Sequence, residues 1–172
     1  MLQRIVTTVA ALAILCAAAF ALPRPGDPAP PITLKEITNA PPDTPRTLEA
    51  LRGKVVVLEF WATWCGPCIA AIPHLNELSD HYRDASDVVF LSITKEAPSV
   101  VDPFREKREM RSWIGHDDAG DTHDAYGIRF LPTTIVVGKD GRIAYKHVGP
   151  ITPASLAQRL MPEIEKALIA QP

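Results

Sequence analysis

A run of apolar and largely β-branched residues, KVVVLEF at Lys54–Phe60, opens after Gly53 and leads straight into a Trp- and Cys-containing segment. So short a run without polar alternation reads as a strand covered on both faces, which places it at the centre of a sheet. Beyond it Ile69, Ile72, Leu75, Leu78 and Tyr82 recur every three or four residues, so a helix is expected over about Cys65–Arg83, kinked at Pro73. A second buried strand, VVFLSIT at Val88–Thr94, follows. Strand, helix and strand in this order need a crossover and parallel pairing, which commits the chain to an α/β layout.

The rest is read around that unit. Residues 22–31 form a Pro-rich, extended lead, Ile32–Ile37 alternates like a short strand, Thr38–Pro45 is rich in turn formers, and Leu48–Gly53 is a connector. A charged amphipathic helix is expected over Ser99–Arg111 and a third strand over Pro132–Val137. Gly138-Lys139-Asp140-Gly141 is a hairpin turn, so Arg142–Val148 should return antiparallel. Thr152-Pro153 then caps and opens a last helix through Leu168. The layout is βαβ followed by ββα, in one domain over residues 32–170.

Composition removes several function classes. With 47% hydrophobic and 22% charged residues the chain can fold, and 18 Lys+Arg against 20 Asp+Glu, with no basic run, argues against a nucleic-acid partner. Met1–Leu22 carries a single charge, Arg4, before an apolar stretch and then the abruptly polar Pro23-Arg24. That is the pattern of a secretory signal over residues 1–21, with cleavage after Ala21 in the small-x-small sequence Ala19-Phe20-Ala21; residues 5–22 retained as a membrane anchor are the alternative. Lipidation at Cys16 is disfavoured because Leu15 stands where a small residue is needed. The mature protein would be periplasmic or otherwise extracytoplasmic and would keep only Cys65 and Cys68. That pair closes too short a loop to stabilise much, so it is there for chemistry.

Trp64-Cys65-Gly66-Pro67-Cys68 sits where a buried strand gives way to a helix. Cys65 then lies at the helix N-terminus, where free N–H groups and the dipole favour a thiolate, and it is the candidate nucleophile. Cys68, one turn on and deeper, can attack a mixed disulfide at Cys65 and resolve it. Half a zinc site is the competing reading, but no second Cys or His pair stands at ligand spacing, so no metal is expected.

These residues, with EFWATWCGPC at Glu59–Cys68, Pro73 in the helix and Phe130-Leu131-Pro132-Thr133-Thr134 opening the third strand, resemble the thioredoxin fold. The resemblance is to the exported TlpA/ResA-type thiol-disulfide oxidoreductases and covers about residues 30–168. It implies a central mixed sheet with helices on both faces, an inserted helix and strand that the Cys65 to Pro132 separation accommodates over Pro98–Trp113, and a cis Pro132 packed against the cysteine pair. It also implies that Leu131 and Pro132, together with Trp64, Gly66 and Pro67, dock an extended substrate. Glu59, the one charge in its strand, stands where thioredoxins bury an acid near the resolving cysteine, and burial should raise its pKa so that it accepts the Cys68 proton. The lysine that accompanies that acid is replaced by Phe90, and Ala71 stands where some relatives carry a Glu.

His116, Asp117, Asp118, Asp121, His123 and Asp124 are read as a solvated loop rather than a metal site, and His74 and His81 as helix-surface residues. The expected activity is reduction of disulfides in exported proteins, with the Cys65–Cys68 disulfide as the only redox group and no added cofactor. Apocytochrome c thiols in cytochrome c maturation, a metallochaperone or misoxidised proteins are the candidate substrates, a membrane thiol protein is the electron donor, and the chain is expected to be a monomer. A disulfide-forming oxidant and a copper-handling binding protein are the alternatives.

Overall fold

The computed structural model describes residues 22–171, so the export segment with Cys16 and Ala21 lies outside the described residues. In chain order the elements are β1 (Glu36–Thr38), a 3-10 turn (Glu49–Leu51), β2 (Val55–Phe60), α1 (Gly66–His81), β3 (Val88–Thr94), α2 (Pro98–Arg105) and β4 (Trp113–His116). There follow α3 (Asp121–Ala125), β5 (Thr133–Val137), β6 (Ile143–Val148), α4 (Pro153–Ser155), a wide π turn (Leu156–Leu160) and α5 (Met161–Ile169). The strands make one six-stranded sheet in the order β1-β4-β3-β2-β5-β6.

β2 is buried along its whole length, as its unbroken apolar sequence requires, and pairs parallel with β3 and antiparallel with β5. Its side chains divide alternately between two cores. Val55 and Val57 meet Ala71 and Leu78 of α1 and Ile164 and Ala167 of α5. Val56, Leu58 and Phe60 meet Ile32, Leu51 and Tyr126 on the opposite face. The sheet is thus mixed and covered on both sides. Thr152 and Ser155 form a reciprocal capping box that starts α4, as the Thr152-Pro153 signal indicates. Pro73 is accommodated within a continuous α1.

Three readings change. The strand expected over Ile32–Ile37 is shifted towards the C-terminus: Glu36–Thr38 pairs antiparallel to β4, while Ile32 enters the core and Thr33 exchanges two hydrogen bonds with the Thr122 side chain. The partner strand β4 decides where β1 begins, and nothing local to Ile32 announces it. The helix expected over Ser99–Arg111 ends at Arg105, and the chain leaves it so that Met110 can be buried against Cys68 and Ile72. Asn76 of α1 holds this departure, donating to the Glu109 carbonyl at 2.8 Å and accepting from the Arg111 N–H at 2.9 Å. The inserted helix and strand are accordingly α2 and β4, reaching His116 rather than Trp113.

The third change concerns the loop of acids and histidines. His116 lies in β4, and His116, Asp117 and His123 are all buried. Asp117 accepts the N–H groups of Thr122 and His123 and the His123 Nδ1, the last at 2.6 Å. The segment is a hydrogen-bonded corner rather than a solvated loop, because its polar groups satisfy one another and so tolerate burial. Only Asp118, Asp121 and Asp124 face solvent or are half-exposed, which is what the charge density of the sequence reported. The Pro-rich lead is docked too, through Gly26 to the Ile143 carbonyl, Ile143 to the Asp27 carbonyl and Ala29 to the Gly141 carbonyl.

Candidate active site

β2 carries Glu59 and Phe60 to the end of the sheet, and Trp61–Trp64 turn the chain into α1. Thr63 fixes that turn: its N–H and hydroxyl donate to the Glu96 carboxylate at 2.7 and 2.6 Å, and Thr94 adds a weaker bond to the same group. Cys65 is the N-cap of α1, in extended backbone conformation, and its Sγ accepts the Cys68 N–H at 3.3 Å. Pro67 fills a first-turn position where no N–H is needed. The two cysteines form a disulfide, with Cys65 5% and Cys68 0% exposed.

Trp64 is 75% exposed beside the disulfide, with Gly66 and Pro67 also at the surface. The Leu131–Pro132 peptide is cis, Pro132 is buried, and Leu131 packs on the cluster that contains both cysteines. A groove of about 240 Å³ runs beside this point between Trp61, Ala62 and Trp64 on one side and Thr94–Glu96, His123 and Ile128–Leu131 on the other. Phe130, 69% exposed, forms one rim and Trp64 another.

Glu59 is buried near the C-terminal end of the interior strand β2, opposite Ser92 of β3 and Thr134 of β5. Ser92 Oγ donates to its Oε2 at 3.0 Å, and Oε1 has no partner among the described residues. Burial pushes its pKa up to about 7, with the Ser92 hydrogen bond pulling the other way. Phe90, in place of a lysine, lines a cavity of about 10 Å³ together with Glu59, so among the described residues no cation lines that cavity to offset the buried acid. Burial likewise holds the His123 pKa below the usual histidine range, opposed by the Asp117 hydrogen bond. Among the described residues no three or more His, Cys, Asp or Glu side chains gather as metal ligands. His74 and His81 stay on the outer side of α1, half-exposed and exposed.

Sequence reasoning missed Ser92, Ser112, Glu96 and the Asp117–His123 pair. Ser92 had a signal, as the one hydroxyl set among the apolar residues of VVFLSIT before its closing Thr94. The others depend on contacts between distant segments.

The Redoxin family matches residues 24–160. The thiol-disulfide oxidoreductase ResA of Oceanobacillus iheyensis is 33% identical over 129 residues, covering 75% of this chain and 67% of that one. The thioredoxin-like protein YneN of Bacillus subtilis is 31% identical over 137 residues, 78% of each chain. The crystal structure of a putative thiol:disulfide interchange protein DsbE from Chlorobium tepidum superposes with a TM-score of 0.72 at 28% identity, covering 85% of this chain and 99% of that one. The match spans 60 to 67% of the ResA sequences' own length.

Proposed function

Since the chain belongs to the Redoxin family, among thiol-disulfide oxidoreductases of the ResA type, we propose that it acts as a reductase of disulfides in proteins outside the cytoplasm. The observation that carries this reading is Cys65 at the N-cap of α1, its sulfur already accepting a helix N–H and more exposed than Cys68. In the reduced protein the same donors stabilise a Cys65 thiolate. That thiolate attacks one sulfur of a substrate disulfide, and the other substrate sulfur leaves as a thiolate that solvent protonates. Glu59 takes the proton of Cys68, whose thiolate attacks Cys65 Sγ and expels the second substrate sulfur as a thiolate, which solvent likewise protonates. Two electrons pass to the substrate and the Cys65–Cys68 disulfide remains.

Trp64, Gly66 and Pro67 at the surface beside Cys65, with Leu131 packed on the cysteine cluster and Pro132 next to it, are the docking residues for a cysteine-bearing polypeptide. The sequence of the first 22 residues supports export, and among the described residues no helix is long and apolar enough to cross a membrane. A dithiol of the membrane must return the electrons, because an exported space holds no reducing pool.

The direction follows from what stabilises the thiolate. Gly66-Pro67 brings no charge, and among the described residues the hydrogen bond to Cys65 Sγ comes from the Cys68 N–H, so the helix terminus is the main stabiliser. A modestly stabilised thiolate means a reducing couple. Equilibration with glutathione or dithiothreitol buffers should give a potential near the thioredoxin value of about −270 mV. A potential above about −180 mV would overturn the reductase reading and make the protein a disulfide-forming oxidant.

A further inference from the structure

Glu59 must lose, once per cycle, the proton it takes from Cys68, yet it is 3% exposed on an interior strand of a six-stranded sheet. Most of the wall around it is apolar: Val57, Ile72, Leu75, Phe90, Leu91 and Met110 line the cavity it adjoins. Ile72 and Met110 also pack with Cys68, so the carboxyl and the resolving thiol share neighbours. On this face the strands carry a polar stripe, with Glu59 on β2, Ser92 beside it on β3, and Ser112 at the entry to β4. The stripe is continuous. Ser92 Oγ lies 3.0 Å from Glu59 Oε2 and 2.8 Å from Ser112 Oγ, and Ser112 is half-buried and reaches the surface.

Ser112 is also held in place. Asn39 donates to the carbonyls of Met110 and Ser112 at 2.9 and 2.7 Å, and Asn76 fixes Glu109 and Arg111 on the approach. Two asparagines from different parts of the chain thus brace the segment that ends the stripe. Asn76 lines the cavity as well, but its amide is committed to Glu109 and Arg111, so among the described residues the two serines alone link Glu59 to the surface by hydrogen bonds.

We infer that Glu59, Ser92 and Ser112 form a proton relay through which the proton from Cys68 leaves the interior. The transfer balances without a further reactant. Protonated Glu59 gives its proton to Ser92 Oγ as Ser92 gives its own to Ser112 Oγ and Ser112 releases one to solvent; both hydroxyls then turn back. Ser92 and Ser112 act through Glu59 and are positioning residues in this scheme, which rests on Glu59 being the acceptor for Cys68.

The test uses oxidised protein with 13C-labelled glutamate carboxyls, observed by NMR at the midpoint of the Glu59 titration. In the wild type a working relay should give one averaged Glu59 signal. Ser112→Ala and Ser112→Val should slow the exchange so that the signal broadens or splits, with the titration midpoint and the glutathione equilibrium unmoved. Ser112→Thr, which has the shape of Val and keeps the hydroxyl, should restore the averaged signal, and the Thr/Val pair serves if Ala loosens the loop. Exchange in the Val variant as fast as in wild type, or in the Thr variant as slow as in Val, overturns the relay. Resolution kinetics of Glu59→Gln separate the two claims. An unchanged rate removes Glu59 as acceptor, whereas a slowed rate alongside wild-type exchange in Ser112→Val removes the relay alone.

Discussion

Glu59 should make the oxidised protein lose stability as pH rises, and Glu59→Gln should abolish that loss. The carboxyl titrates near 4.5 in an unfolded chain and at about 7 in the folded one. Between those values the native state holds a proton that the unfolded state has released, so stability is fully present below 4.5 and is lost as pH climbs through 7. At about 1.4 kcal/mol per pH unit the whole effect is about 3 kcal/mol, of which about 2.5 falls between pH 5 and pH 8.5. The variant amide cannot ionise, still fits beside Ser92, and should stay level across this range.

The assay is urea unfolding of the disulfide-intact protein followed by tryptophan fluorescence, for wild type and variant at both pH values. Any cost of the amide that does not depend on pH cancels in the difference of differences. So does the His123 contribution, which has the opposite sign: burial depresses its pKa, so its stability is present above about 6.5 and lost as pH falls. At an m-value of about 2 kcal/mol per molar urea, the variant midpoint should gain about 1 M relative to wild type on going from pH 5 to pH 8.5. If the gap between the two proteins is the same at both pH values, the carboxyl is not held protonated by burial and the acceptor role loses its basis.

Other outcomes follow from the same geometry. Alkylation of the reduced protein at mildly acidic pH should label Cys65 before Cys68, because only Cys65 caps the helix and meets solvent; peptide mapping showing equal labelling, or Cys68 first, refutes the assignment. Asp117→Ala strands the donors of Thr122 and His123 in the interior and should cost about 3–5 kcal/mol in thermal unfolding. A loss below about 1 kcal/mol would mean that the corner is solvated after all. Trp64→Ala should raise KM for a protein disulfide by a larger factor than for glutathione disulfide, which offers less surface to the indole, and equal factors for the two substrates would remove Trp64 as a docking residue. N-terminal sequencing of protein from an exporting host should start at Leu22, and a start at Met1 in the membrane fraction would make residues 5–22 an anchor.

What the sequence made legible was whatever has a local cause. KVVVLEF and VVFLSIT needed only their lack of polar alternation to be placed at the sheet centre, and Cys65 needed only the strand before it and the helix after it to become an N-cap. The cis Leu131–Pro132 bond came from the resemblance rather than from residue physics. The readings that changed depend on long-range partners. β1 exists because β4 offers it an edge, and α2 stops at Arg105 because Met110 is needed beside Cys68. The acidic and histidine-bearing corner looked solvated because charge in a sequence does not say which donors will meet it. Asp117 and His123 lie close enough in sequence for their pairing to have been considered, but the Thr33 backbone that Thr122 binds comes from far earlier in the chain.

The inserted α2 and β4 acquire a consequence from this. Without β4, β3 would be an edge strand, and the hydroxyl of Ser92 would end the polar stripe with no residue beyond it. β4 pairs parallel with β3 so that Ser92 stands opposite Ile114, which puts Ser112, two residues earlier, diagonally across from Ser92 on the same face. The segment that extends the sheet therefore also supplies the relay's outer member, and the asparagines that brace it come from the chain just after β1 and from α1. A buried acid that costs about 3 kcal/mol when ionised is tolerable in a strand so thoroughly packed, and the same burial holds its pKa near neutrality, where it can both take a proton and give it up. Phe90 removes the cation that would lower that pKa, leaving the Ser92 hydrogen bond as the chief opposing influence. Shortening the insertion would therefore disturb proton traffic at Glu59 and loosen the packing of Val101, Met110 and Ile114 around the cysteine pair, while the Cys68 N–H that caps Cys65 belongs to α1 itself.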